Sequence, residues 1–254
     1  MIKKRIWILT MFEEYFTPFR ECGVLGSALR GERSVDVEFE IQTVLIRKFS
    51  PKDYKGVDDS PFGGGVGMIM RADVLKSALF EGVIKAGHYD EKNWREKLHI
   101  VCPMPRGKTW DQNYAQDFAH RVLSEKIEKD VVFICGRYEG IDERFLNAYV
   151  DEFISLGNFI LTGGELATMV ILDSSMRFVT GVLGNKSSAC DESFFNDLLE
   201  YPLYTRPREF EGMEIPEALI SGDHKKIAKF KDEERKKMTQ KYRPDLWEKY
   251  EKKS

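Results

Sequence analysis

The sequence predicts an α/β fold: a mostly parallel sheet with helices between its strands, followed by a small, mostly α-helical C-terminal domain. Short apolar runs alternate with longer helix-like stretches through most of the chain. Two of these runs break into glycine-bearing loops, CGRYEGIDER (Cys135–Arg144) and LTGGELATM (Leu161–Met169). Glycine lets the backbone turn tightly and approach a ligand, and open parallel sheets receive ligands at the carboxyl ends of their strands. The composition then changes: from Asp223 onward twelve Lys and Arg face seven Asp and Glu. That tail carries a net +5 in a chain of net −3, which leaves −8 on the preceding 222 residues.

Taken in order, RIWILTMF (Arg5–Phe12) reads as a buried strand and Glu13–Leu29 as a helix. VEFEIQTVLI (Val37–Ile46) alternates in the manner of a second strand. The polar stretch Lys52–Ser60 is too long for a simple connection and ends in PFGGGVGMIM (Pro61–Met70), which marks it as functional or mobile. A helix is expected over Ala72–Ala86, a strand at LHIVCP (Leu98–Pro103), a helix over Asp111–Ile127 and a strand at VVFIC (Val131–Cys135). FIL (Phe159–Leu161) reads as a further strand end, and Glu165–Phe178 as a helix with Leu166, Met169, Val170 and Phe178 as its apolar positions. The small, polar run Gly184–Asp197 suggests an interdomain linker. The expected division is therefore 1–183, a linker at 184–196, and 197–254, the last with helices near Pro216–Ile220, Lys225–Met238 and Pro244–Lys252.

Several classes are disfavoured. Cysteines at 22, 102, 135 and 190 and histidines at 88, 99, 120 and 224 have no zinc-site spacing. No apolar run approaches the roughly 20 residues of a membrane span, and no secretory core follows Met1–Arg5, so a cytoplasmic chain with reduced thiols is expected. GGGVG lacks the Lys-Ser/Thr ending of a phosphate loop, and no GxGxxG opens a helix after a strand. What remains is a crevice between glycine loops carrying Arg137, Tyr138, Glu139, Asp142, Glu143, Arg144 and Glu165. The basic tail reads either as a polyanion-binding surface or as a solvated helical face.

FGGGVGMIM, CGRYEGIDER, LTGGELATM, RFVTGVLG (Arg177–Gly184), LLEYPLYTRP (Leu198–Pro207) and GMEIPEALISGDH (Gly212–His224) follow one another in a telling order. In order and approximate separation the chain resembles bacterial tRNA (guanine-N1)-methyltransferases over nearly its whole length. The resemblance implies a SPOUT-type parallel sheet with a deep trefoil knot, which general topology rules would not suggest. It implies S-adenosylmethionine as methyl donor, Mg2+ dependence, and a homodimer with active sites at the subunit interface. It also implies that the substrate is a tRNA with guanosine immediately 3′ of its anticodon, position 37, whose methylation supports reading-frame maintenance. The basic tail then has a natural partner in RNA phosphates.

Matched position by position, the resemblance puts the donor at Cys102, Pro103, Met104, Gly107, Gly136, Tyr138, Glu139, Gly140, Ser155, Leu156, Gly157, Phe159, Leu161, Gly163, Gly164 and Ala167. Glu139 is also the candidate magnesium ligand. Asp59, Gly64 and Gly65 would receive the nucleotide, and Ser188 and Ser193 would position the guanine or order the linker. Tyr204 and Arg206 would contact RNA, with packing as the alternative for Tyr204. Met104 and Arg106 stand where the family usually has Ser and Gln, and Ala167 where it usually has Pro, which puts Arg106 beside the adenosine pocket. Guanine N1 carries a proton at neutral pH, so attack on a methyl group requires a general base and a cation for the charge growing on O6. The cation matches Arg177. The base matches Glu192, where the family commonly has Asp, with the adjacent Asp191 as the alternative. A ribose 2′-O-methyltransferase and an RNA-binding protein that has lost catalysis are the competing readings, and the linker acid with Arg177 favours base methylation.

Overall fold

Five apolar segments pair into one all-parallel sheet in the computed structural model, which describes residues 2–51, 56–183 and 192–253. In chain order the strands of the first part are β1 (Ile2–Thr10), β2 (Val37–Leu45), β3 (Asp58–Asp59), β4 (Ile69–Met70), β5 (Leu98–Thr109), β6 (Asp130–Ile134) and β7 (Glu152–Ser155). The sheet order is β2-β1-β6-β5-β7, and β3 with β4 makes a separate antiparallel pair. The helices are α1 (Phe16–Glu21), α2 (Gly23–Leu29), α3 (Ala72–Leu79), α4 (Trp94–Lys97), α5 (Gln112–Phe118), α6 (Glu143–Tyr149) and α7 (Gly164–Met176). These belong to the first of two compact units, Met1–Lys186 and Ser187–Ser254.

Strand periodicity sends successive side chains to opposite faces. Ile6, Ile8, Val131 and Phe133 pack with Phe16, Phe118, Ile171 and Leu172 on one side of the sheet. Trp7, Leu9, Val132 and Ile134 pack with Val74, Leu75, Leu79 and Phe145 on the other. Cover on both faces is why β6 reads as an unbroken apolar run. The wholly buried Lys4 donates to the carbonyls of Val122 (2.7 Å), Ile127 (2.9 Å) and Lys129 (3.0 Å), just beyond α5. Its cation satisfies carbonyl groups left free where a helix ends.

Three expectations are corrected. Glu13–Leu29 is not one helix: a 3-10 turn at Glu13–Tyr15 leads into α1, and α2 starts afresh after Cys22 (φ −112°, ψ 154°). FIL at 159–161 is a loop, since β7 ends at Ser155 and Phe159, Ile160 and Leu161 are exposed. In α7 the buried face is Ala167, Thr168, Ile171, Leu172, Ser175 and Met176, whereas Leu166 and Val170 face outward. A helix with apolar residues on nearly every side gives periodicity no single face to select.

Among its described residues the second unit holds the hairpin of β8 (Glu209–Phe210) and β9 (Met213–Glu214) and three α-helices, α8 (Glu217–Ile220), α9 (His224–Tyr242) and α10 (Pro244–Glu251). Asp223 caps α9 by accepting from the amides of Lys225 (2.9 Å) and Lys226 (3.2 Å), and Pro244 opens α10 where a missing N–H costs nothing. The segment from Glu192 to Glu200 is fastened within this unit. The Leu199 amide donates to the buried Thr239 hydroxyl at 2.8 Å, and Arg235 Nε to the Leu199 carbonyl at 3.2 Å.

Candidate active site

β6, β5 and β7 are adjacent, and all three point their carboxyl ends the same way, so the loops that leave them converge. The first loop is made inside β5. Pro103 and Lys108 both align with Ile154 of β7, so residues 104–107 are looped out of the ladder. The second follows β6, and Tyr138 within it has φ 60°, an uncommon backbone state for a bulky side chain and one that concentrates at functional sites. The third runs from β7 to α7, with Ser155 Oγ and the backbone of Gly157 closing a tight turn at 3.3 Å.

Together the loops enclose a cavity of about 370 Å³. Fifteen of the sixteen residues expected around a donor line it: Cys102, Pro103, Met104, Gly136, Tyr138, Glu139, Gly140, Ser155, Leu156, Gly157, Phe159, Leu161, Gly163, Gly164 and Ala167. Gly107 is the exception. A Cβ there would stand 2.4 Å from the Ile154 nitrogen, so this glycine serves the close passage of two chain segments. Arg106 is also away from the cavity lining: it pairs with Glu143 at 2.8 Å and lies over the Phe153 ring at 4.4 Å. Pro105, Arg137, Ile141, Ile154, Ile160 and Thr162 line the cavity as well, and of these Arg137 is already among the crevice residues read from the sequence. Arg137 carries a signal, since it sits inside the CGRYEGIDER loop; Ile160, exposed and apolar in a loop, carries no comparable one.

Burial raises the thiol of Cys102, which lines the cavity, to about 12 and that of Cys135, in the core beneath it, well above the ordinary range, so both are neutral rather than nucleophilic. The Tyr138 phenol is likewise raised, by burial and by the carboxylate of Asp58 beside it, and is protonated at neutral pH.

The glycine-rich segment is stitched to this site by its backbone. Glu139 N donates to Met68 O (3.0 Å), Met70 N to Gly140 O (2.9 Å) and Asp142 N to Met70 O (3.0 Å). Gly64 and Gly65 lie on the exposed part of that loop, and Asp59 accepts from the Ser60 amide (2.8 Å) and faces Arg71 at 3.9 Å. Arg177 stands at the end of α7 and lines a different cavity of about 440 Å³, with Phe19, Cys22, Val24, Leu25, Asp173 and Leu183. In the second unit Ser193 Oγ accepts from the Glu200 amide (3.0 Å), Glu192 is half-buried, and Tyr204 and Arg206 are exposed. Ser188 and Asp191 lie outside the described residues.

The tRNA (Guanine-1)-methyltransferase TrmD family matches residues 4–249. The chain belongs to this family. Proteins named tRNA (guanine-N(1)-)-methyltransferase include one from Ruegeria sp. (strain TM1040), 41% identical over 96% of this chain and 92% of the relative. The Endomicrobium trichonymphae protein is 42% identical over 96% of this chain and all of its own length. That from Clostridium botulinum (strain Hall) is 43% identical over 97% and 92% respectively. For a member of this family, no helix among the described residues is long and apolar enough to cross a membrane, and no three His, Cys, Asp or Glu there gather as metal ligands.

Proposed function

We propose that this methyltransferase carries the methyl group of S-adenosylmethionine to N1 of the guanosine immediately 3′ of the tRNA anticodon, position 37, and so supports reading-frame maintenance. The observation that carries the reading is the convergence of three strand-end loops on one cavity, lined by fifteen of the sixteen residues expected to hold the donor. Backbone groups of the glycine turns would hold its adenosine and methionine portions, and Tyr138 and Glu139 would shape the methyl end. When bound, the sulfonium supplies an electrophilic methyl and leaves as a neutral thioether. Glu192 takes the N1 proton, the freed lone pair forms the N–CH3 bond, and Arg177, which lines a cavity away from the donor loops of its own chain, balances the negative charge that builds on O6 at an active site shared between the subunits of the proposed homodimer.

Several finer points belong to the same reading. The domains are a donor-binding body at 1–183, a linker at 184–196 carrying the acid, and a tRNA-binding unit at 197–254. The knot is supported by the start of α7, which follows β7 yet sits on the end of β6, two strands away. Gly164 N donates to Gly136 O at 2.9 Å, and a Cβ on Gly164 would lie 2.8 Å from Cys135 Cα. A homodimer is supported by exposed Leu166 and Val170, one turn apart on α7. A tRNA-modifying role goes with a cytoplasmic location. The described side chains do not fit a preformed Mg2+ cage: Glu139 is a single carboxylate lying over Gly67. No step is therefore routed through the ion, which commonly keeps several waters of its own.

The test is single-turnover transfer of labelled methyl from S-adenosylmethionine to a tRNA bearing guanosine 3′ of the anticodon, for wild type, Asp191→Ala and Glu192→Ala. Product in the wild type that disappears only with Glu192→Ala is expected. Donor and tRNA binding without product would overturn the catalytic reading, and methyl found on ribose would change the acceptor.

A further inference from the structure

The loops of the donor cavity are joined by one residue of its lining that the proposed reaction leaves unused. Arg137 Nη1 donates to the Thr162 carbonyl at 3.2 Å, and its Nη2 lies 2.9 Å from Glu165 Oε2. Glu165 is 1% exposed in the first turn of α7, and its other oxygen accepts from the buried Thr10 hydroxyl at 2.8 Å. The rings of Phe12 and Tyr15 cover the guanidinium, with centroids 4.6 and 5.5 Å from its central carbon. A Cβ at Gly163 would fall 2.3 Å from Arg137 Nε, so the turn before α7 is pressed directly onto this side chain. Its backbone amide also donates to Met70 Sδ at 3.2 Å. A single arginine thus links the ends of β1 and β6, the start of α7 and the strand that closes the glycine-rich loop.

We infer that Arg137, held by Glu165, is a positioning residue that sets the spacing between the Gly136–Gly140 and Leu161–Gly164 turns of the donor cavity. The inference rests on the reading of that cavity as the donor site. The pair meets through one nitrogen and one oxygen, since Glu165 Oε1 is taken by Thr10 and Arg137 Nη1 by Thr162, so it is close without being bidentate. The guanidinium is shared among a carbonyl, a carboxylate and two rings that belong to different segments. A planar, forked cation that stacks on aromatic faces suits this role, whereas an ammonium does not.

The experiment measures donor affinity by equilibrium dialysis of labelled S-adenosylmethionine, tRNA affinity without donor, and thermal unfolding. The proteins are wild type, Arg137→Lys, Arg137→Gln, Glu165→Gln and the Arg137→Gln/Glu165→Gln double variant. Arg137→Gln and Glu165→Gln are expected to weaken donor binding by about tenfold or more, as small misplacements of binding groups do. Arg137→Lys gives no recovery, and the double variant is no weaker than the worse single one, because the two side chains act as a unit. In steady state the loss appears chiefly in the donor KM, with tRNA affinity within about twofold of wild type. Folded Arg137→Gln with wild-type donor affinity would overturn the inference, as would full recovery by Arg137→Lys. If Arg137→Gln does not fold, Glu165→Gln and Thr10→Val carry the same test. A wild-type protein that binds no donor would instead refute the donor-site reading.

Discussion

Gly107 and Arg137 stand in neighbouring loops, and Gly107 reverses what the resemblance implies for it, whereas Arg137 lines the crevice as its loop suggests. The resemblance puts Gly107 against the donor; its missing Cβ leaves room for the backbone of Ile154 and Phe153 instead. A motif reveals that space is needed at a position and says nothing about what fills it. Gly107→Ala is expected to destabilise the protein by about 1–3 kcal/mol or more, because the obstacle is backbone that cannot rotate away. Thermal unfolding checks the stability, and dialysis of labelled donor checks that the cavity loosens with it. An unchanged melting temperature would show that β5 and β7 separate easily at this point.

Among the elements, β7 is held at the sheet edge by one carboxylate. Glu152 bonds His99 of β5 at 2.6 Å, the Tyr114 hydroxyl of α5 at 2.5 Å and Arg121 at 2.6 Å. Burial alone would raise its pKa, yet hydrogen bonds from His99, Arg121 and Tyr114 outweigh it and hold the group at about 2, against an ordinary 4.5. The unfolded chain therefore binds this proton first on acidification. Glu152 contributes stability that is fully present above about pH 4.5 and is lost as pH falls towards about 2. Glu152→Gln should flatten the fall of unfolding free energy across that window, measured by urea denaturation at stepped pH; a parallel curve would remove the cluster as an acid-sensitive anchor. The linkage joins β7 to β5 and α5 through residues far apart in sequence, and so has no signature in any single segment.

For the whole molecule, the charge asymmetry is written in the composition, whereas the tertiary contacts decide how it can be tested. Removing the tail from Asp223 onward would also remove Thr239 and Arg235, which fasten the segment bearing Glu192 within its own unit. Lys225 and Lys226 at the start of α9 are exposed and provide a cleaner test. Replacing both with Ala should weaken tRNA binding and lower the slope of log affinity against log salt by about 1.4–1.8. An unchanged slope would make them a solvated face. Leu166→Glu with Val170→Glu should leave the fold within about 0.5 kcal/mol of wild type, since both are exposed. Sedimentation then tests the proposed dimer: loss of the dimer is expected, and retention would move the interface elsewhere.

The amino-acid sequence by itself determined four of the five sheet strands, the two glycine-bearing loops, the basic C-terminal helices and, through several long motifs in order, the family. Those are local or linear properties: apolar periodicity, turn chemistry and charge are written residue by residue. Only the tertiary structure decided which face of α7 is buried, that Phe159–Leu161 is an exposed loop, that Gly107 accommodates a strand, and that Arg137 joins four elements at the cavity. Each of these depends on which distant segment occupies the space beside a residue, and in an all-parallel sheet every such neighbour arrives through a long crossover.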